Sequence, residues 1–172
     1  MSTDKPILKP SGVTQPTEKP WFDEVAIPAL LRHARTTYGV AMRKALGEAG
    51  YDDMPKNGMY VIGGMALETG AIPLSQLIEG LGVSKQSASQ LVDTLVTRGY
   101  LQRTEDPNDR RKLTITLTER GRDAAAKQSE ARKKIDAELV ACVGEEDVYR
   151  TRRTLAVLID LGHHSEEQPH DE

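Results

Sequence analysis

The chain of 172 residues contains one cysteine, one tryptophan and one phenylalanine, and aromatic residues make up only 4% of it. A single thiol, Cys142, excludes an internal disulfide framework and fits a reducing, cytoplasmic compartment. With so few rings, a core must be built from Leu, Val, Ile, Ala and Met. No apolar run approaches the ~18 residues of a membrane span. The first residues contain no apolar h-region, so no secretory signal is expected. Enzyme signatures are missing as well: there is no Walker A loop, Gly-x-Ser-x-Gly, His-Glu-x-x-His or Cys-x-x-Cys. The expectation is a non-enzymatic protein with no cofactor and no metal.

Net charge is −3, which does not advertise a nucleic-acid binder. Recognition depends on local charge, however. Residues 84–122 hold eight basic groups, Lys85, Arg98, Arg103, Arg110, Arg111, Lys112, Arg120 and Arg122, against five acidic ones. That segment therefore carries an excess of positive charge, and part of the acidity lies in the tail at Glu166, Glu167, Asp171 and Glu172.

Punctuation and periodicity divide the chain. Four prolines among polar residues make residues 1–20 read as a disordered arm. Trp21 and Phe22 follow and are expected to cap the first helix and cover the core. Ile27, Leu30, Leu31, Ala34, Tyr38, Ala41 and Ala45 then recur at helical spacing, predicting a helix over 24–48, with Pro28 in its first turn and Gly50 beyond its end. A short helix over 56–68 contains Gly63 and Gly64, each costing about 1 kcal/mol relative to Ala. Either a neighbouring backbone comes close there or the pair leaves room for a ligand. Residues 71–73 read as extended, because Ile72 precedes Pro73.

Leu74 to Gly80 reads as a helix with Leu74, Leu77 and Ile78 on one face. Gly82 sits in a tight turn, and Ser84 caps a second helix running to about Arg98. Ala88, Leu91, Val92, Leu95 and Val96 point inward. Residues 100–105 and 112–117 alternate like strands around the turn chemistry of residues 106–109. Thr118 caps a helix to about Val140, Gly144 separates a last one over 145–161, and residues 163–172 read as frayed. The order is helix, helix, short strand, helix, helix, hairpin, helix, helix. Two helices joined by a glycine-containing turn and followed by a hairpin make a winged helix-turn-helix, so the fold class is mainly α with a small β-wing.

In such a motif the second helix enters the major groove, where outward side chains must donate and accept. Here they are Lys85, Gln86, Ser87, Ser89, Gln90, Asp93, Thr94 and Thr97. Gln86 and Gln90 suit bidentate contact with adenine, Ser87 suits base or phosphate, and Lys85 suits guanine or phosphate. The bland alternative is a solvated helix face. At the hairpin tip, Asp109, Arg110, Arg111 and Lys112 form a basic turn. An arginine there can read a narrow minor groove by shape, oriented by Asp109.

Residues 73–122, PLSQLIEGLGVSKQSASQLVDTLVTRGYLQRTEDPNDRRKLTITLTERGR, resemble the MarR family of bacterial regulators. LVDTLVTRGYLQR followed by DPNDRR and LTERGR carries the likeness, which extends over about residues 24–161. The resemblance implies a homodimer that places one recognition helix and one wing of each protomer on a pseudo-palindromic double-stranded DNA operator. It implies a repressor that a small aromatic or phenolic effector releases. On that basis 21–50 is a first dimerisation helix, 51–118 the DNA-binding lobe, 119–162 the C-terminal dimerisation helices and 163–172 a flexible tail. Ser84, Lys85, Gln86, Ser87 and Gln90 match the family's recognition-helix positions, and Ser89 lies among them. Asp109 and Arg111 match its wing pair. Gln86 and Gln90 stand where proline and arginine are frequent, the Gly63-Gly64 pair replaces bulkier residues, and the N-terminal arm is extra. An effector pocket is expected near His33, Tyr38, Met59 and Gly63. The alternative function is a winged-helix module that binds protein without reading DNA. Cys142, flanked by apolar residues, is expected to be partly buried and inert. His163, His164 and His170 lack a closed metal spacing.

Overall fold

A computed structural model describes residues 19–166 apart from Thr69 and residues 106–111, with side chains described to residue 162. Its elements are α1 (Ile27–Glu48), α2 (Gly58–Met65), β1 (Ile72–Pro73), α3 (Leu74–Gly80), α4 (Lys85–Thr97), β2 (Leu101–Glu105), β3 (Leu113–Leu117), α5 (Glu119–Val143) and α6 (Glu145–Glu166). The fold is mostly helical with one small sheet, in the element order predicted. Helix α6 runs five residues beyond its predicted end, since Gly162 alone does not stop a helix. The N-terminal arm up to residue 18 lies outside the described residues.

Two compact units divide inside α1, one ending at Arg35 and the other beginning at Thr36. In the first, the backbone N–H of Asp23 donates to the carbonyl of Pro20 at 3.0 Å, and that of Val25 to Phe22 at 3.2 Å. The turn sets Trp21 edge-on to Phe22, with centroids 5.9 Å apart. The expectation that this pair covers a core is corrected: both rings are exposed.

The second unit holds the core. In α1 the deepest side chains are Met42 and Leu46, a step round from the predicted stripe, whose members Tyr38 and Ala45 pack only at the core's edge. Helix α4 places Ala88, Val92 and Leu95 at zero exposure, and Val92 and Leu95 share one core cluster with Ile62 of α2 and Ile115 of β3. Leu74, Leu77 and Leu81 of the α3 segment close its flank. Gly82 turns the chain between the two helices with φ +61°. Ser84 then stops α4 from fraying: its hydroxyl accepts from the N–H of Ser87 at 3.3 Å.

The sheet order is β1-β3-β2, antiparallel throughout. Ile72 pairs with Ile115, and Leu101 with Leu117, so β3 is the central strand. Pro73 sits on the outer strand, where its missing N–H costs no ladder bond. The alternation predicted for β3 is corrected here. Thr114 is buried and Leu113 exposed: β3 is flanked along both edges, by β1 at Thr114 and by β2 over its whole length, and the burial of Thr114 comes with that pairing. The Thr114 hydroxyl is satisfied by Thr104 Oγ1 across the hairpin at 2.8 Å.

Gly63 and Gly64 lie next to each other in α2 but face different surroundings. A Cβ on Gly63 would strike the side-chain amide of Gln128 from α5, so a side chain and not a backbone makes the close approach. A Cβ on Gly64 would meet nothing within 4 Å. Gly64→Ala is therefore expected to stabilise the protein by about 0.5–1 kcal/mol through helix propensity alone, whereas Gly63→Ala gains less because Gln128 must move. Urea denaturation midpoints of the two variants check this difference.

Candidate nucleic-acid interface

The polar face of α4 follows from its buried face. With Ala88, Val92 and Leu95 inward, Lys85, Gln86, Ser87 and Gln90 are left exposed over the first turn and a half. Ser89 is half-buried at the side of this face. Ser84 also lies there, with its hydroxyl engaged by the cap and by Ser87 Oγ at 2.9 Å. Thr94 bonds back to the carbonyl of Gln90 at 2.8 Å. Asp93, the only acidic residue of α4, pairs with Arg103 of β2. The pair is largely exposed and so contributes at most about 1 kcal/mol. Its effect is to place a guanidinium beside that carboxylate at the edge of the polar face.

The predicted wing residues Asp109, Arg110 and Arg111 lie outside the described residues. Lys112 is exposed at the start of β3.

Sequence reasoning missed what fixes the end of α4. The Arg98 guanidinium donates to the carbonyl of Asp53, in the loop between α1 and α2. The buried Tyr100 hydroxyl donates to the Asp53 carboxylate. From α5, Arg120 donates to the same carboxylate and to the carbonyl of Arg98, both at 2.8 Å. Its guanidinium also lies 4.4 Å from the centre of the Tyr100 ring. The Arg120–Asp53 pair is partly exposed, so the stacking, worth about 0.5–1 kcal/mol, matters as much as the ion pair. One residue on, a Cβ at position 121 would collide with the carbonyl of Tyr100, so only glycine fits. Thr118 completes the junction. Its hydroxyl accepts from Gly121 N at 3.0 Å and donates to the carbonyl of Gly99 at 2.6 Å. Thr-Glu-Arg-Gly is thus a fastening between α5 and the turn after α4. Among the described basic residues of the segment, Arg98, Arg103, Arg120 and Arg122 donate to acceptors within the chain.

The residues predicted for an effector pocket do not gather as expected. Met59 is buried in the core. Tyr38 donates to Asp136 Oδ1 of α5 at 2.6 Å, a bond that raises its pKa, with burial second. His33 is exposed and belongs to the first unit. Gly63 alone lines a cleft of about 550 Å³ between the end of α2, β3 and α5. Gln128 and Thr116 line it too, and each has a buried side-chain oxygen without a hydrogen-bond partner. Cys142 is exposed, not partly buried, because the last turn of α5 leaves the core. The side chains of His163, His164 and His170 lie outside those described. Among the described residues no cluster of His, Cys, Asp and Glu could hold a metal, and no helix is long and apolar enough to cross a membrane.

A helix pair with an exposed polar second helix, followed by a hairpin in a three-stranded sheet, defines a winged helix-turn-helix protein. Residues 59–112 match the model of the MarR family. Over 56 residues the chain is 41% identical to the transcriptional repressor MprA of Escherichia coli K12; the match covers 33% of this chain and 32% of that protein. The chain thus spans about a third of the length of this curated relative. It is 29% identical over 106 residues to the uncharacterized HTH-type transcriptional regulator YwhA of Bacillus subtilis, covering 62% of this chain and 76% of that one. Among solved structures, FabT of Streptococcus pneumoniae in complex with DNA has a TM-score of 0.67 at 20% identity, covering 80% and 96% of the two chains. A MepR mutant from Staphylococcus aureus gives 0.66 at 17%, covering 80% and 97%. These structures show the fold. Over residues 59–112 the chain is thus similar to the MarR family, and its fold is that of winged helix-turn-helix proteins.

The junction makes a prediction about pH. Burial, then the hydrogen bond to Asp53, pushes the Tyr100 phenol well above its ordinary value of 10.0. The folded protein therefore holds this proton where the unfolded chain has lost it. Its stabilising contribution is complete below about pH 10 and declines as pH rises further. Tyr100→Phe should cost about 1–2 kcal/mol at neutral pH and should flatten the loss of stability above about pH 10. Denaturation midpoints from neutral to alkaline pH measure both effects.

Proposed function

We propose that the chain is a cytoplasmic, non-enzymatic repressor that binds a pseudo-palindromic double-stranded DNA operator as a homodimer and is released by a small-molecule effector. The observation that carries the reading is the division of α4: Lys85, Gln86, Ser87 and Gln90 stand together in solvent while the opposite side of the same helix is fully buried. A rigid helix with amides, a hydroxyl and one cation on its free face suits major-groove edges. Asp109, Arg110, Arg111 and Lys112 would follow the adjacent minor groove from the wing. The complex of FabT with DNA supports a DNA role for this fold.

Homodimerisation is supported by apolar surface that the described residues leave exposed. Val157, Leu158 and Ile159 of α6, with Leu139 and Val143 of α5, are exposed. Leaving each such side chain in water forgoes about 1.5–3 kcal/mol of burial, and a second copy removes that surface from solvent. A dimer of this kind sets its two recognition helices about one DNA turn, or ~10 bp, apart.

In gel retardation on a DNA fragment that the protein binds, Arg111→Ala is expected to weaken binding to all sequences and reduce its salt dependence. Gln90→Ala should instead relax preference at one base pair in each half-site, worth about 1–3 kcal/mol. Uniform weakening by Gln90→Ala would make it a backbone contact. Unchanged affinity in both variants would remove these residues from the interface.

A further inference from the structure

We propose that Arg103 is a further DNA-contacting residue, a phosphate clamp beside α4, and that Asp93 is the positioning residue that holds its guanidinium ready. The inference rests on the DNA reading above and adds one contact to those given there. It starts from the only acid of α4. Gln86, Gln90, Asp93 and Thr97 recur at helical spacing and are all exposed, so they form one stripe along the helix. A carboxylate on that stripe repels the phosphates of any duplex that the glutamines approach. Its presence there is accounted for if it acts on a neighbouring cation.

The strand pattern explains why Arg103 meets Asp93. Side chains alternate along β2, so Leu101 and Arg103 leave the same face of the strand. Leu101 is 1% exposed and belongs to the core cluster that holds Val92 and Leu95 of α4. One pleat further on, Arg103 emerges from that core beside Asp93 and donates to its Oδ1. This pair differs from the other arginine contacts of the segment. Arg98, Arg120 and Arg122 donate to the backbone carbonyls of Asp53, Arg98 and Leu117, which fastens the lobe from within. Arg103 is the one of the four that is held by a side chain on the exposed stripe of α4. Among the described residues only its Nη2 is engaged, and a guanidinium has five donors in a planar fork. One edge can therefore face the carboxylate while another takes a phosphate oxygen. Immobilising an arginine costs it much rotamer freedom, and Asp93 imposes that loss before DNA arrives. Such preorganisation offsets the repulsion that the carboxylate adds.

Removing Asp93 separates the two roles by sign. A carboxylate that only repels DNA would, once removed, leave tighter binding; a positioning carboxylate would leave weaker binding. Fluorescence anisotropy of the full chain on a mixed-sequence pool of duplexes of about 40 base pairs, over about 50–200 mM KCl, reads this directly, because a phosphate contact carries no sequence information. Arg103→Gln is expected to weaken binding about tenfold and to lower the slope of log affinity against log salt by about one for each protomer bound. Asp93→Ala should weaken binding about threefold and keep the slope, since the cation remains but is no longer held. In a chain that already carries Arg103→Gln, Asp93→Ala should not weaken binding further, a coupling that a merely structural role does not produce. Both residues are exposed, so melting temperatures should change little in either variant. Tighter binding by Asp93→Ala, equal weakening by it in both backgrounds, or affinity and slope unchanged in Arg103→Gln would overturn the proposal. A natural chain that binds no duplex overturns the DNA reading along with it. Salt-dependent binding by the natural chain, unaltered in the variants, removes the clamp alone.

Discussion

The carboxylate of Asp53 is the point on which the end of α4, the hairpin and the start of α5 depend. A phenol from the turn after α4 and a guanidinium from α5 converge on it, while Arg98 binds the carbonyl of the same residue. Two segments distant from it in sequence, residues 98–100 and Arg120, are thus held by one loop residue. Tyr100 is fully buried at this point, so its hydroxyl needs a partner there. Arg120 adds stacking on the same ring and a bond to the carbonyl of Arg98 near the end of α4. The end of α4, the start of β2 and the start of α5 therefore share a frame. The proposed base reading requires α4 to keep its orientation, and Arg98, Tyr100 and Arg120, none of them among the proposed reading residues, hold its end in place.

That arrangement explains why net charge is a poor guide to this protein. Several of its local cations are committed to internal acceptors, and Arg103 neutralises the only acid of α4. The other basic residues of the segment are Lys85, Lys112 and the wing-tip arginines Arg110 and Arg111. In the proposed reading these supply the phosphate and groove contacts, and the glutamines supply base preference. Affinity would then rest on few charges, with specificity carried by neutral groups.

The elements were legible because their signals are local. Ser84 and Thr118 each precede an amphipathic run, and the structure finds each hydroxyl accepting from the N–H three residues on. The alternation of residues 112–117 located β3 but not the burial of Thr114, since that position is paired on both edges only once β1 arrives from another part of the chain. The polar face of α4 was legible for the same reason as the helix itself. The fastening around Asp53 was not, because Asp53 and Arg120 are 67 residues apart and nothing in either neighbourhood signals the other. Cleft residues failed similarly. Gly63 was singled out as an oddity in a helix, but its meaning lay in Gln128, whose own signal was a lone amide in an alanine-rich stretch. Residues chosen by chemical type, such as His33 and Met59, proved to have ordinary surroundings.

The central claim is that α4, framed by the Asp53 junction, reads DNA sequence as one of a symmetric pair. Selection of bound duplexes from a random library by the full chain tests it most directly. The account predicts enrichment of a pseudo-palindrome whose half-site centres lie about 10 bp apart. Recovery of DNA with no enriched sequence, or of a single asymmetric site, would contradict it.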